Sequence, residues 1–300
     1  MSGAPPGDPS GPVVVDAHQH LWDPARRRYP WMEVPGREPL RRPYALDDLR
    51  AATSAAGVQR TVLVQTVSAA EETREFLRTA GGSGGLVAAV VGWVDLAGDV
   101  PAQVADLRGG PGGALLAGVR HQAEDEPGTA WLERGEVARG AVAAARAGLV
   151  HDLLVRADQL DAASALVDAV HEAEPGAVFV LDHGAKPPVG GDGWAAWAAA
   201  VARLAQRPHV RCKLSGLFTL VPAGAPDEAL RPTVEHLLGV FGPGRLLFGT
   251  DWPVSTLAAG HADVLARTRA LLAGLAPGER AAVLGGNAVT VYGLDAPVPR

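Results

Sequence analysis

Two histidines one residue apart, His18 and His20, follow the apolar run Val13 to Asp16. In extended backbone, residues two apart project to the same side, so both imidazoles can face one centre. Neutral imidazole nitrogens bind zinc at about 2.0–2.1 Å, which suits such a centre. Other reactive groups also stand at the ends of apolar runs. His183 closes Phe179-Val180-Leu181-Asp182-His183, where it would be a third ligand or an acid/base group. Asp182 is expected to face away from it, as an orienting or structural carboxylate. Asp251 follows Leu246 to Thr250, and a carboxylate there can ligate a metal or take a proton from attacking water. Pro253 places a turn just beyond it, which weighs against a simple helix cap. Arg120 and His121 end a further run; the guanidinium fork suits holding a carboxylate or polarising a carbonyl. Lys213 stands two residues before Ser215, and a buried ammonium is costly unless a substrate or an Asp pairs with it. His151 is read as structural, just ahead of a strand, and His171, His209, His236 and His261 receive no role.

These residues need elements that bring run ends together. Eight short apolar runs recur along the chain: Val13 to Asp16, Thr61 to Gln65, Leu86 to Val94, Leu115 to Arg120, Asp152 to Val155, Ala177 to Leu181, Val210 to Leu214 and Leu246 to Gly249. Continuous rather than alternating hydrophobicity marks strands buried on both faces. Helical periodicity fills the gaps, over Leu46 to Ala56, Ala70 to Ala80, Val100 to Leu107, Trp131 to Ala147, Leu160 to Glu172, Trp194 to Gln206, Asp227 to Phe241 and Ala258 to Leu272. Two short helices, Pro277 to Leu284 and Asn287 to Tyr292, close the chain. Eight strand–helix alternations with no break in composition predict an α/β protein with a single (β/α)8 TIM barrel. A doubly wound sheet would place a Gly-rich phosphate loop after its first strand, where this chain has Asp16-Ala17-His18-Gln19-His20. In a TIM barrel the active site lies at the C-terminal ends of the strands, where the reactive residues cluster.

Length and composition agree. The chain has 300 residues, of which 47% are hydrophobic and only 5% aromatic, so Ala, Val and Leu must fill the core. A net charge of -6 argues against a nucleic-acid binder. The short clusters Arg26 to Arg28 and Arg41-Arg42 read as solvated faces. One cysteine, Cys212, excludes an internal disulfide framework and a multi-cysteine zinc site, and its apolar neighbours suggest a buried thiol. No window reaches the roughly 18 apolar residues of a membrane span. Residues 1–12, rich in Gly and Pro without the layout of a signal peptide, read as a disordered lead-in to a catalytic domain over 13–300. A cytoplasmic location is expected, with neither nucleic acid nor membrane as partner.

Several stretches together carry a family resemblance. Asp16-Ala17-His18-Gln19-His20-Leu21-Trp22-Asp23-Pro24 with Tyr29-Pro30-Trp31, Val91-Gly92-Trp93-Val94-Asp95-Leu96, Gly118-Val119-Arg120-His121, Leu181-Asp182-His183 with Lys186-Pro187, Lys213-Leu214-Ser215-Gly216-Leu217 and Phe248-Gly249-Thr250-Asp251-Trp252-Pro253-Val254 occur in this order. The chain resembles the amidohydrolase-2 family, in its branch of sugar lactonases such as L-fuconolactonase and L-rhamnonolactonase, over residues 13 to 294. The resemblance implies a (β/α)8 barrel that hydrolyses cyclic esters. Two features depart from the family. Strand five ends Val155-Arg156-Ala157-Asp158, without the Lys, Glu or extra His of a bridged two-metal site. Between His183 and Lys186, the family usually places a larger residue and then Gly, where this chain has Gly184-Ala185.

The expected reaction is opening of a sugar-derived lactone, such as L-fuconolactone, to its acid. Asp251, His183 and Arg120 are the candidate catalytic residues, with Asp251 as general base. Trp22, as an apolar wall beneath the sugar, His121 and Lys213 are the candidate substrate-binding residues. His18, His20, His183 and Asp251 could hold one divalent ion, zinc foremost. In the alternative, without a metal, the same four bind substrate and handle protons. A metal-dependent decarboxylase of the same superfamily and a non-catalytic barrel that only binds a ligand are the competing functions.

Overall fold

The computed structural model describes residues 12–222 and 224–294. Residues 1–11, nearly all of the expected lead-in, and the end of the chain after Leu294 lie outside the described residues. Eight parallel strands run in sequence order around one sheet: β1 (Val15–Gln19), β2 (Arg60–Val64), β3 (Val87–Gly92), β4 (Leu116–His121), β5 (Val150–Leu153), β6 (Phe179–Leu181), β7 (Val210–Leu214) and β8 (Leu246–Phe248). Helices α1 (Leu46–Ala56), α2 (Ala70–Gly81), α3 (Val100–Gly109), α4 (Gly135–Arg146), α5 (Leu160–Ala173), α6 (Trp194–Ala205), α7 (Arg231–Phe241) and α8 (His261–Leu271) follow the strands in turn. A parallel bridge from Gln19 to Trp252 joins β1 to the segment after β8. The fold is a single (β/α)8 barrel, and among the described residues no helix is long and apolar enough to cross a membrane.

The inward side chains form layers. Val15, Ala17, Val62, Val64, Val91, Val150, Val180 and Leu247 fill the foot, where Ala288, Tyr292 and Leu294 of the chain end plug it. The short helices α9 (Pro277–Ala281) and α10 (Asn287–Tyr292), joined by a π-helical turn, carry that plug. The outward side chains pack against the helix ring, with Trp197, Phe179 and Phe248 among the largest fully buried side chains. Cys212 belongs to that outer layer, and burial pushes its thiol well up.

Several expected boundaries move, and the shifts in β1, β5 and α4 bear on the site. Strand β1 continues to Gln19, so His18 lies within the strand and not after it. Strand β5 begins at Val150, two residues earlier than expected, because Gly118 to His121 of β4 pair with Val150 to Leu153. His151 therefore lies in the strand, packed 5.6 Å from the Phe179 ring, and Asp152 pairs with Lys213 of β7 inside the barrel. Helix α4 begins only at Gly135, because Trp131 instead stacks on His121 with ring centroids 3.8 Å apart.

Helix α4 approaches the β3–α3 connection so closely that a Cβ on Gly140 would stand 1.9 Å from the Leu96 carbonyl oxygen. Gly140→Ala should cost about 1–3 kcal/mol through overpacking. Gly239→Ala, in α7 with nothing within 4 Å of the added carbon, should gain up to ~1 kcal/mol from helix propensity. Urea unfolding of both variants checks the contrast. Burial brings the His151 imidazole down to about 4. The unfolded chain binds this proton near 6.5, the folded chain only near 4, so stability is lost as pH falls through that window. The loss approaches about 3 kcal/mol at most, and His151→Leu should remove that share of the acid sensitivity in urea midpoints measured from pH 7 to pH 4.

Candidate active site

The barrel closes where its reactive groups meet. Asp251 N donates to the His18 carbonyl at 2.8 Å, and His20 N donates to the Trp252 carbonyl at 2.7 Å. The seam that joins β1 to the chain after β8 thus sets His18, His20 and Asp251 side by side. The register slips between Asp16 and Gln19. Such an irregularity re-aims side chains, so inward Val15 and Ala17 are followed by inward His18 and His20. Asp16 points the other way and holds the seam from outside. It accepts hydrogen bonds from Thr250 N at 2.8 Å, Thr250 Oγ1 at 2.5 Å and His18 N at 3.1 Å, and lies 3.0 Å from His261 Nε2. Neither Asp16 nor His261 was assigned a role from sequence. A carboxylate ending an apolar run was the available signal for Asp16, whereas nothing local marks His261.

Three donor atoms converge on one point. His18 Nε2 and His20 Nε2 are 3.2 Å apart, His20 Nε2 lies 3.3 Å from Asp251 Oδ1, and His18 Nε2 lies 3.8 Å from it. His20 Nδ1 is 2.7 Å from the Val64 carbonyl oxygen, which only accepts, so Nδ1 carries the proton and Nε2 offers its lone pair. A proton on His18 Nε2 shared with His20, or a cation held by both nitrogens and the carboxylate, satisfies this cluster. Ligands about 2.0–2.1 Å from a tetrahedral zinc stand ~3.3 Å apart, so these three donors fit one divalent ion. His183, with Nδ1 2.8 Å from Ser215 Oγ, packs 4.5 Å from the His18 ring and forms a second grouping with His18 and Asp182. Gly216 makes room for it: at φ +66°, an added Cβ there would stand 2.7 Å from His183 Nδ1 and 3.2 Å from Asp251 Oδ2.

Electrostatics disfavour the charged forms of His18 and His183 and keep Asp251 ionised. Burial lowers His183, and burial with Lys213 lowers His18. Burial alone would raise Asp251, but His183, His20 and His18 hold it well below the usual carboxylate range. Beneath His18 lies a charged layer. Lys213 Nζ is 2.5 Å from Asp152 Oδ2, 2.9 Å from Asp182 Oδ1 and 3.0 Å from His18 Nδ1. Arg120 Nη1 is 2.9 Å from Asp182 Oδ2 and 3.3 Å from His18 Nε2. The Tyr292 hydroxyl of the foot plug donates to Asp152 at 2.9 Å. Asp182 faces into the barrel because Lys213 and Arg120 both claim its oxygens. One of its carboxylate oxygens comes within 4.8 Å of a His183 nitrogen, against the expectation that it faces away from His183; its role as an orienting carboxylate fits.

Above this layer opens a cavity of about 310 Å³, lined among others by His20, Trp31, Arg120, His183, Lys186 and Asp251. The three residues expected to bind substrate lie outside its walls. Trp22 is buried beside the first loop and donates Nε1–H to the carbonyls of Leu40 and Arg42, both at 3.0 Å. His121 stacks on Trp131 and is held by Trp93 Nε1 at 3.1 Å and Glu126 Oε1 at 3.0 Å. Lys213 is wholly buried in its carboxylate pairs. The cavity instead presents Trp31, Arg37, Gln122, Glu124 and Lys186, which were given no role from their types alone.

Comparison with known proteins follows this geometry. A family model described as Amidohydrolase matches residues 15–294. An L-fucono-1,5-lactonase from Burkholderia ambifaria is 37% identical, with 94% of this chain and 96% of that protein covered. An L-fucono-1,5-lactonase from Burkholderia multivorans is 36% identical, over 96% of this chain and 98% of that protein. The crystal structure of an amidohydrolase from Burkholderia multivorans with bound zinc superposes with a TM-score of 0.84 at 35% identity, covering 94% of this chain and 99% of the other.

Lys213→Met removes the cation between two buried carboxylates. It should cost about 3–5 kcal/mol, as breaking a buried pair does, read as a lowered urea midpoint. A variant as stable as the unaltered protein would show that the pair is dispensable.

Proposed function

The chain belongs to the amidohydrolase family, and from that membership we propose that it opens a sugar-derived lactone, an aldonolactone such as L-fucono-1,5-lactone, to its acid. The likeness to two L-fucono-1,5-lactonases along nearly the whole chain carries this reading. The cavity over His20, His183 and Asp251 supports it, because ester hydrolysis needs a positioned water, a base for its proton and donors for the oxyanion.

The chemistry follows from the side chains. Water attacks the lactone carbonyl carbon, and Asp251 accepts its proton. Asp251 is ionised at every ordinary pH, so it is always available, yet a carboxylate so stabilised is a weak base. His18, His20 and Asp251 would hold a divalent ion, zinc foremost, which would lower the pKa of a water towards about 7 and so narrow its gap from that base. The Arg120 guanidinium lines the cavity and donates to the developing oxyanion, a contribution of about 2.7–4 kcal/mol for one such donor. Asp182 and Gln65 hold Arg120 in place, the first through Nη1 and the second by accepting Nη2–H at its carbonyl. Trp31 supplies the aromatic wall first expected of Trp22.

A panel of sugar lactones followed with a pH indicator tests the reading, before and after chelation and with metal content measured on the same sample. Acid release without carbon dioxide is expected. Carbon dioxide release would indicate a decarboxylase, and ligand binding with no turnover a binding protein. Asp251→Asn should abolish turnover while thermal unfolding remains that of a folded barrel; substantial residual rate would remove Asp251 as the base.

A further inference from the structure

Lactone opening also needs a proton at the leaving ring oxygen, which either protonated Asp251 or a separate acid can supply. When the tetrahedral intermediate collapses, the ring oxygen leaves as an alkoxide, a poor leaving group unless an acid protonates it. Most cavity groups are unsuited. Arg37 and Arg120 do not give up a proton. His18 and His20 turn Nε2 towards Asp251, and His183 Nδ1 is engaged by Ser215 Oγ at 2.8 Å. Lys186, at the cavity wall, carries a transferable proton.

Its backbone points to a function as well. Residues 183 to 186 lie consecutively in the left-handed region, at φ 54°, 56°, 60° and 52°, and only Gly184 among them is a glycine. Such conformations cost of order 1–3 kcal/mol each in non-glycine residues and persist only where the surroundings over-determine them. Here Trp197 of α6 donates Nε1–H to the Gly184 carbonyl at 2.7 Å, and Lys186 N closes the turn on the His183 carbonyl at 3.0 Å. This turn presents His183 and Lys186 to one cavity. Glu124, from the loop after β4, pairs with the Lys186 ammonium, and its side chain is only 15% exposed.

We propose that Lys186 is the general acid of the reaction, protonating the leaving ring oxygen, with Glu124 holding its ammonium in place. This rests on the lactonase reading. Asp251 takes one proton from water as the hydroxide adds to the carbonyl carbon. The carbon–ring oxygen bond then breaks, and its electron pair takes the proton from Lys186 Nζ. The new carboxylic acid returns a proton to the amine, directly or through Glu124, and Asp251 releases the other to solvent. The net change is lactone plus water to hydroxy-carboxylate plus one proton.

Steady-state kinetics of Lys186→Arg, Lys186→Met and Lys186→Ala on the lactone that the unaltered enzyme turns over test the proposal. Arg keeps the charge but yields no proton, so both Arg and Met should lower kcat about 10²–10⁴-fold with KM changed far less. Methylammonium added to Lys186→Ala should restore part of kcat in a concentration-dependent manner. That comparison is made within one protein, so it does not depend on how well the Arg or Met variant folds. A Lys186→Arg enzyme with nearly unaltered kcat, or an effect confined to KM, or no rescue by methylammonium, would overturn the role. Failure of the unaltered enzyme on every sugar lactone would instead sink the lactonase reading itself.

Discussion

Lys213 lies between Asp152 and Asp182 with no contact with solvent, and the barrel's working half rests on that pairing. Two carboxylates in a dry interior repel each other and lose hydration, so neither can stay ionised unless cations compensate. Lys213 and Arg120 supply two positive charges against these two negative ones. Burial by itself would raise Asp182, yet Lys213, His18 and Arg120 hold it well below its ordinary range. Asp182 can then remain an anion against which His18 and Arg120 are aligned. The positions of His18 and of Arg120, the candidate oxyanion donor, follow from this compensated layer.

The layer also divides the interior by chemistry. Below it the barrel is apolar and closed by Tyr292, whose hydroxyl reaches up to Asp152. Above it the same cylinder carries the imidazoles of His18, His20 and His183, an ionised carboxylate and a cavity. One continuous set of strands thus serves stability at its foot and chemistry at its mouth, the usual division in this architecture. The closing seam couples the two. Asp16 ties Thr250, His18 and His261 together outside the sheet, while His18, His20 and Asp251 meet inside it. Backbone strain gathers at the same level, at Asp251 and along residues 183 to 186, where surrounding contacts rather than local preference set the conformation.

Much of this was legible in the residues. Eight buried runs alternating with helical segments specify the barrel, because parallel strands covered on both faces must be apolar throughout. Reactive residues at run ends locate the mouth, so His18, His20, His183, Arg120 and Asp251 emerge from position and type together. Lys213 was legible as a buried ammonium needing a partner, but which partner it takes was not. Trp22 and Trp31 sit nine residues apart in one loop, and sequence favoured Trp22 as the cavity wall. The fold satisfies the Trp22 indole with two backbone carbonyls and turns Trp31 to the cavity instead.

Sequence by itself therefore determined the fold class and the ring of strand ends from which the site is drawn, since hydrophobic period and residue type are local properties. Tertiary structure alone decided which side of a strand a residue faces after the slip in β1, that Asp182 turns inward, and that β5 begins early enough to bring Asp152 beneath the site. It also decided that Asp16 and His261, 245 residues apart, share one hydrogen bond. These outcomes depend on register between strands and on charge compensation across the barrel. Both are set by residues distant in the chain, so no local pattern encodes them.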